Sequence, residues 1–375
     1  MNMHASVKDQ DSQWMAQALA LAQQALWRTS PNPRVGCVLV NANGQLIGEG
    51  STQAAGQAHA EVMALRDAAA KGYSTQGATA YVTLEPCSHH GRTGPCCDAL
   101  IAAGITRVVA ALEDPNPLVA GQGLARLQAA GVQVATGVGA QASRELNLGF
   151  LSRWVRKRPW VRMKLAMSLD GKTALNNGQS QWITGAAARA DGHQWRARAC
   201  AVMTGSGTVL QDDPLLNVRG LETSRQPHLV VLDSHLRTPL NAKLWEVPRK
   251  VFVYGGEVDA VHANALRQQA HYVALMPGND GRVDLPAVME DLARHEINEL
   301  HVEAGRILSG ALLESGVVDE LLLYVAPKLL GPGRELVQLQ ERLSLSQALE
   351  LQFKDVQMQG DDVRILARIK GGEHF

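Results

Sequence analysis

The chain predicts two layered α/β domains in tandem. Three observations carry this: its length, the alternation of short apolar runs with helical stretches in both halves, and a basic break between them. A chain of 375 residues is too long for one ordinary core and suits two domains of roughly 150 to 200 residues. The break is the cluster Arg153, Arg156, Lys157 and Arg158 ahead of Pro159, read as a solvated helix end and boundary. The domains are therefore expected at 1–157 and 158–375.

Each element follows from local pattern. Over residues 11–27 Ala, Leu and Gln recur at helical spacing, with Asp11 or Ser12 available as an N-cap. Strands at 34–40 and 45–48 flank Asn43-Gly44, a strong hairpin turn signal. Helix and strand then alternate: helices at 59–71 and 96–103, strands at 78–83 and 106–111. From Trp160 a new sheet starts at Val161–Met167, with turn residues at 168–171. Further strands are expected at 201–204, 228–232, 250–253, 272–275, 300–303 and 321–325, with helices at 185–198 and 285–295.

The chemistry concentrates at His59-Ala60-Glu61, followed by Pro86-Cys87 and Pro95-Cys96. This matches the zinc-deaminase pattern H-x-E then P-C-x-x-C, with the second half stretched to P-C-x8-C. One His and two Cys leave a fourth zinc position to water, as in catalytic rather than structural sites. Zinc lowers the pKa of such a water toward neutrality. Glu61 is placed to shuttle its proton to a departing amine. Cys97 could replace Cys96, but Cys96 follows Pro95 at a helix start, where a thiolate is favoured. His89 and His90 sit in a Gly-flanked loop and are read as touching substrate or solvent. Asn32, held between Pro31 and Pro33, is presented rigidly and is read as a site residue.

Composition narrows the substrate. Lys+Arg and Asp+Glu number 36 each, and residues 1–157 hold 12 basic against 10 acidic. Neither half is basic, so no nucleic-acid partner is expected and a small molecule is. Five cysteines, an odd number with a metal pattern, indicate a reducing, cytoplasmic compartment. No leader pattern or 18-residue apolar run is present, so neither secretion nor a membrane span is expected.

These residues resemble the bifunctional deaminase-reductase family of riboflavin biosynthesis. The resemblance rests on Pro31-Asn32-Pro33-Arg34-Val35-Gly36, His59-Ala60-Glu61, the run 84–93 from Leu-Glu-Pro-Cys to Gly-Arg-Thr, the Asp114-Pro115-Asn116-Pro117 run, and Met163–Lys172 in the other half. It covers nearly the whole chain. Two departures stand out: Thr93-Gly94-Pro95-Cys96 where the family usually has Thr-Pro-Pro-Cys, and Ala304-Gly305 where it has Gly-Gly.

The resemblance implies a cytidine-deaminase-like three-layer α/β/α domain followed by a dihydrofolate-reductase-like domain that uses NADPH. It implies metal ligands His59, Cys87 and Cys96, with Glu61 catalytic. It implies that the cofactor is touched by Ala166, Trp182, Thr208, Asp212, Ser234 and a strand-turn-helix formed by Gly305, Arg306, Ile307, Leu308, Ser309, Gly310 and Ala311. The substrate would meet Asn32, Ser180, Arg196, Leu216, Arg219 and Glu303; guanidinium groups suit a sugar phosphate and a carboxylate suits ribose hydroxyls. A homo-oligomer is expected.

Lys164 and Asp170 either polarise the sugar carbonyl or pair with each other, and the proton donor for reduction stays unassigned. Gly205-Ser206-Gly207 lacks the third glycine of a dinucleotide fingerprint. NADPH against NADH is undecided by the residues, with Ser234 and Arg237 as guesses. Two rivals remain at this point: a single-function cytosine, guanine or tRNA deaminase with an inert second domain, and a zinc-stapled binding module.

Overall fold

The computed structural model describes residues 7–88, 94–117, 119–256 and 260–372. His89 and His90 lie outside the described residues. The chain divides into two compact units, Met1–Arg156 and Lys157–Phe375.

In the first unit the order is α1 (Val7–Gln24), β1 (Gly36–Val40), β2 (Leu46–Ser51), α2 (Ala60–Ala70), β3 (Thr79–Val82), α3 (Cys96–Ala102), β4 (Arg107–Ala110), α4 (Gln122–Ala129), β5 (Gln133–Thr136) and α5 (Ala140–Arg156). The sheet runs β2-β1-β3-β4-β5. β1 is antiparallel to β2 and β3, whereas β3, β4 and β5 are parallel. Val38 and Val40 of β1 pack toward α1 with Met15 and Ala18. Gly48 and Gly50 of β2 abut Ala64 and Ala68 of α2 on the other side. That is a three-layer α/β/α unit. Gly36 is required by this packing, since a Cβ there would meet the Ala18 carbonyl.

The expected N-cap at Asp11 is corrected, because α1 begins at Val7. Asp11 is instead buried within the helix. Its carboxylate accepts Arg107 Nη1 and Nη2 at 2.8 and 2.7 Å and the Tyr81 hydroxyl at 2.9 Å.

The second unit runs β6 (Trp160–Ser168), β7 (Lys172–Leu175), α6 (Ala186–Arg198), β8 (Ala201–Gly205), α7 (Ser206–Asp212), β9 (His228–Leu232), β10 (Val251–Gly255), α8 (Ala260–Gln269), β11 (Tyr272–Leu275), α9 (Leu285–Arg294), β12 (Glu299–Val302), α10 (Arg306–Glu314), β13 (Glu320–Ala326), β14 (Gly333–Glu335), β15 (Leu351–Gln359) and β16 (Asp362–Ile369). The sheet order is β11-β10-β9-β8-β12-β6-β13-β16-β15. β11 through β13 pair in parallel, and β16 and β15 close the sheet antiparallel. One face of β12 and β6 contributes Leu300, Val302, Val161 and Met163 to the main core, with Leu312 of α10 and Leu292 of α9. Such near-continuous apolar strands are what a sheet buried on both faces demands.

The β15–β16 pair was not anticipated. A register shift between Phe353 and Asp355 breaks the alternation that would have marked β15.

Candidate active sites in the two units

In the first unit, His59 is the N-cap of α2 and Cys96 opens α3. Cys87 follows β3 in the loop that leads toward α3. Their ligand atoms all lie within 4.8 Å of one another. His59 Nδ1 is 3.3 Å from Cys96 Sγ and 3.6 Å from Cys87 Sγ. A tetrahedral zinc with bonds of about 2.0 to 2.3 Å needs ligand atoms about 3.5 to 3.8 Å apart, so the spacing and the donor set both fit the ion. Cys87 is pulled down to about 4, first by the neighbouring Cys96 thiol and then by His59, and Cys96 is correspondingly pushed up. Cys97 is buried and turns its thiol to the Cys87 carbonyl at 2.8 Å.

Glu61, one residue into α2, is 3 % exposed. Burial, and then the Cys87 charge, push its carboxyl up to about 7. A carboxyl tuned there can both accept and donate a proton near neutral pH.

Glu85 was not singled out from the sequence. Its buried carboxylate accepts backbone N–H groups of Asp114, Gly121, Gly123 and Leu124 at 2.8–3.2 Å. It thereby ties the Pro86-Cys87 segment to the loop before α4. A Cβ at Gly123 would strike the Pro86 carbonyl, so only glycine permits that approach. Burial pushes Asp114 in the same loop up to about 7. The Glu-Pro-Cys and Asp-Pro-Asn runs were the available signal. Asn32 is partly exposed, and its backbone N–H donates to the Thr29 carbonyl at 2.8 Å.

In the second unit a cleft of ≈ 1380 Å³ opens where β6, β8, β9 and β12 end, the expected place for a ligand in a parallel sheet. Of the expected cofactor contacts, Ala166, Trp182, Thr208, Asp212, Ser234, Gly305, Arg306, Ile307, Leu308 and Ala311 line it. Ser309 and Gly310 do not belong to that lining. Ser309 is buried with its hydroxyl donating to the Ala304 carbonyl, and Gly310 abuts the backbone of Gln338. Gly305 caps α10, and a Cβ there would meet nothing within 4 Å. The N-terminus of α10 therefore stands open to the cleft, a fit for a dinucleotide pyrophosphate. Arg306, Arg282 and Arg334 add positive charge to the same lining.

Ser180, Arg196, Leu216, Arg219 and Glu303 also line the cleft. Arg196 is not available as expected, because its fork is occupied. Nε bonds Glu303 Oε1, Nη2 bonds Oε2 at 2.9 Å, and Nη1 bonds the Asn217 carbonyl at 2.9 Å. Arg219 is exposed at the cleft with its backbone N–H on His193 Nδ1 at 3.3 Å. Lys164 and Asp170 do not pair. Lys164 Nζ lies 3.9 Å from Glu303 Oε2, whereas Asp170 accepts Ser168 and the backbone of Leu330 and Gly331. Burial lowers the Lys164 pKa. His193, also in the lining, is pushed down to about 4 by burial and by Arg196 and Arg219.

Residues 8–112 match the cytidine and deoxycytidylate deaminase zinc-binding region, and residues 159–365 match the RibD C-terminal domain. The riboflavin biosynthesis protein RibD of Escherichia coli is 47% identical over 368 residues, covering 94% of this chain and 98% of that protein. The Haemophilus influenzae protein of the same name is 43% identical, covering 96% and 98%. The structure of Acinetobacter baumannii RibD aligns with a TM-score of 0.87 at 43% identity over 96% of this chain and 99% of that one. The Thermotoga maritima diaminohydroxyphosphoribosylaminopyrimidine deaminase/5-amino-6-(5-phosphoribosylamino)uracil reductase aligns with a TM-score of 0.85 at 31% identity, covering 96% and 99%. With a deaminase unit followed by a reductase unit over nearly its whole length, the chain belongs to the RibD family of bifunctional enzymes of riboflavin biosynthesis.

Proposed function

We propose that the chain carries out two consecutive reactions on one ribosyl-pyrimidine phosphate. Residues 1–157 deaminate 2,5-diamino-6-ribosylamino-4(3H)-pyrimidinone 5′-phosphate. Residues 158–375 then reduce the ribosyl chain, giving 5-amino-6-ribitylaminouracil 5′-phosphate. The observation that carries the first step is the convergence of His59, Cys87 and Cys96 beside a buried carboxyl that is not one of the three.

Zinc, held by His59, Cys87 and Cys96, supplies a water acidic enough to lose a proton near neutral pH. Glu61 takes that proton as the water oxygen adds to the amine-bearing carbon, and returns it to the nitrogen as the C–N bond breaks and ammonia leaves. Asn32 is assigned to the pyrimidine edge. In the second unit NADPH supplies the reducing equivalent. Ala166, Trp182, Thr208, Asp212, Ser234 and the turn at 305–308 with Ala311 hold it in the cleft. Arg219 takes the substrate phosphate, Glu303 a sugar hydroxyl, and Ser180 and Leu216 flank the sugar; Arg196 acts by fixing Glu303. Incubating zinc-loaded protein with the diamino substrate, while following ammonia and NADPH together, tests both halves. Ammonia without NADPH, and oxidation only after deamination, is expected; ammonia alone refutes the reductase assignment.

The same reading places the enzyme in the cytoplasm, where five free cysteines stay reduced. No helix among the described residues is long and apolar enough to cross a membrane. We also infer a homo-oligomer built on the sheet edge. Leu351, Phe353, Val356 and Met358 share one face of β15 opposite Ile369, Ala367, Ile365 and Val363, and Phe353 and Met358 are 65% and 62% exposed. With Leu343, Leu345 and Leu349 in the segment leading into β15 also exposed, the apolar area approaches the roughly 800 Å² each partner contributes to a standard interface. A second copy related by a two-fold axis presents the same face to itself. Phe353→Glu is expected to lower the mass seen by light scattering to that of a monomer; an unchanged mass refutes this surface.

A further inference from the structure

The face of β12 that looks toward α6 is polar along its length. Glu299, His301 and Glu303 alternate there, whereas Leu300 and Val302 point into the core. Glu299 is fully engaged, accepting Arg162 Nη1 at 3.1 Å and Arg198 Nε at 2.8 Å. Arg162 also bonds Glu320 at 2.5 Å and stacks 4.4 Å from the Trp195 ring of α6. Glu303, at the cleft end of the row, holds Arg196. His301 lies between these two ionic groups and is 0% exposed.

The imidazole makes no full hydrogen bond at either nitrogen. Its Nε2 nevertheless lies 3.4 Å from Glu303 Oε1. A buried ring that forgoes its hydrogen bonds is costly, so its orientation calls for a reason. The groups facing it from the packed elements decide what it can do. Arg162 of β6 and Arg196 of α6 are donors only and oppose a positive charge on the ring, and burial lowers its pKa. Glu303 is the one acceptor within reach among the described groups that act on it. A neutral ring with its proton on Nε2 is the form that matches these neighbours.

We infer that His301 is a positioning residue of the reductase site. Its Nε2–H steadies Oε1 of Glu303 from beneath, together with Arg196, so that Oε2, beside Lys164, stays turned to the cleft for a hydroxyl of the ribosyl chain. Contacts of this kind are often long before a ligand binds and tighten in the complex. The inference rests on the reductase reading above and adds a residue that touches neither substrate nor cofactor.

The test uses the full-length, zinc-loaded protein with the deaminated substrate. His301→Phe keeps the ring volume and removes the donor; KM for the ribosyl phosphate is expected to rise about tenfold, the worth of one hydrogen bond to a charged group. NADPH affinity and ammonia release are expected to stay as in the wild type. His301→Gln restores a donor and is expected to recover most of the KM. A wild-type KM in His301→Phe overturns the inference, as does a joint loss of KM, NADPH affinity and Tm that Gln does not rescue. Should the Phe variant not fold, ¹⁵N NMR of histidine-labelled wild type decides: an Nε2–H tautomer whose shift moves on substrate binding supports the role, and an Nδ1–H tautomer overturns it. A wild type that never oxidises NADPH would instead sink the reductase reading itself.

Discussion

Arg196 and Glu303, 107 positions apart in the chain, form a two-pronged ion pair in the lining of the reductase cleft. Arg196 grips both carboxylate oxygens, so the carboxylate has one orientation rather than several. A lysine in place of Arg196 keeps the charge and loses the fork. Arg196→Lys is expected to lower reductase kcat/KM by roughly ten- to a hundredfold, the worth of about 1.5 to 3 kcal/mol for a charged hydrogen bond, with ammonia release unchanged. Steady-state kinetics of both reactions on the same preparation checks it.

Metal removal should separate the two reactions in the opposite sense. Chelation, or Cys96→Ser, is expected to abolish ammonia release while the deaminated substrate is still reduced. Because His59 heads α2 and Cys96 heads α3, the metal also clips two helices together. The first unit should therefore melt earlier in the metal-free protein, seen as a lower first transition in calorimetry.

Arg219 is the guanidinium left for the phosphate once Arg196 is committed to Glu303. Arg219→Ala is expected to raise the reductase KM about tenfold for the phosphorylated substrate. It should leave the KM of the dephosphorylated analogue where it was. Comparing the two substrates isolates the phosphate contact from any general loosening of the cleft.

The second unit should lose stability on mild acidification. His193 and His228 are each held down to about 4 from an ordinary 6.5, chiefly by burial and then by nearby cations. A depressed histidine adds nothing to the pH dependence above 6.5, where both folded and unfolded forms are neutral. As pH falls from 6.5 to 4 the unfolded chain takes up protons that the folded chain refuses, so stability drops across that window. The urea midpoint of the second unit is expected to fall between pH 7 and pH 5, and His193→Gln with His228→Gln to flatten the slope.

The parts of the site that were legible in the sequence are those written locally. His59-Ala60-Glu61 and Pro95-Cys96 each combine a helix start with a reactive side chain, so residue type and position coincide. Strands such as His228–Leu232 and Tyr272–Leu275 are runs that β propensity alone delimits. What escaped depends on distant partners. Asp11 reads as a cap until Arg107, 96 positions away, draws it into a buried pair. Lys164 and Asp170 look like neighbours, yet Lys164 lies near Glu303 while Asp170 binds the backbone at 330–331. Glu85 carries no sign of four backbone donors until the loop 114–124 closes over it. The β15 edge lacks clean alternation because of its bulge, and its apolar face is exposed rather than buried.

The central claim is that one chain holds two independent sites acting in a fixed order, with Glu61 essential to the first alone. Glu61→Gln, loaded with zinc, tests it most directly when given each substrate in turn with NADPH. The diamino substrate should yield ammonia at least a hundredfold more slowly, the scale of a lost general acid/base, and should oxidise no NADPH beyond that rate. The deaminated substrate should be reduced at the wild-type rate. Rapid NADPH oxidation from the diamino substrate would contradict the order, and wild-type ammonia release would contradict the role of Glu61.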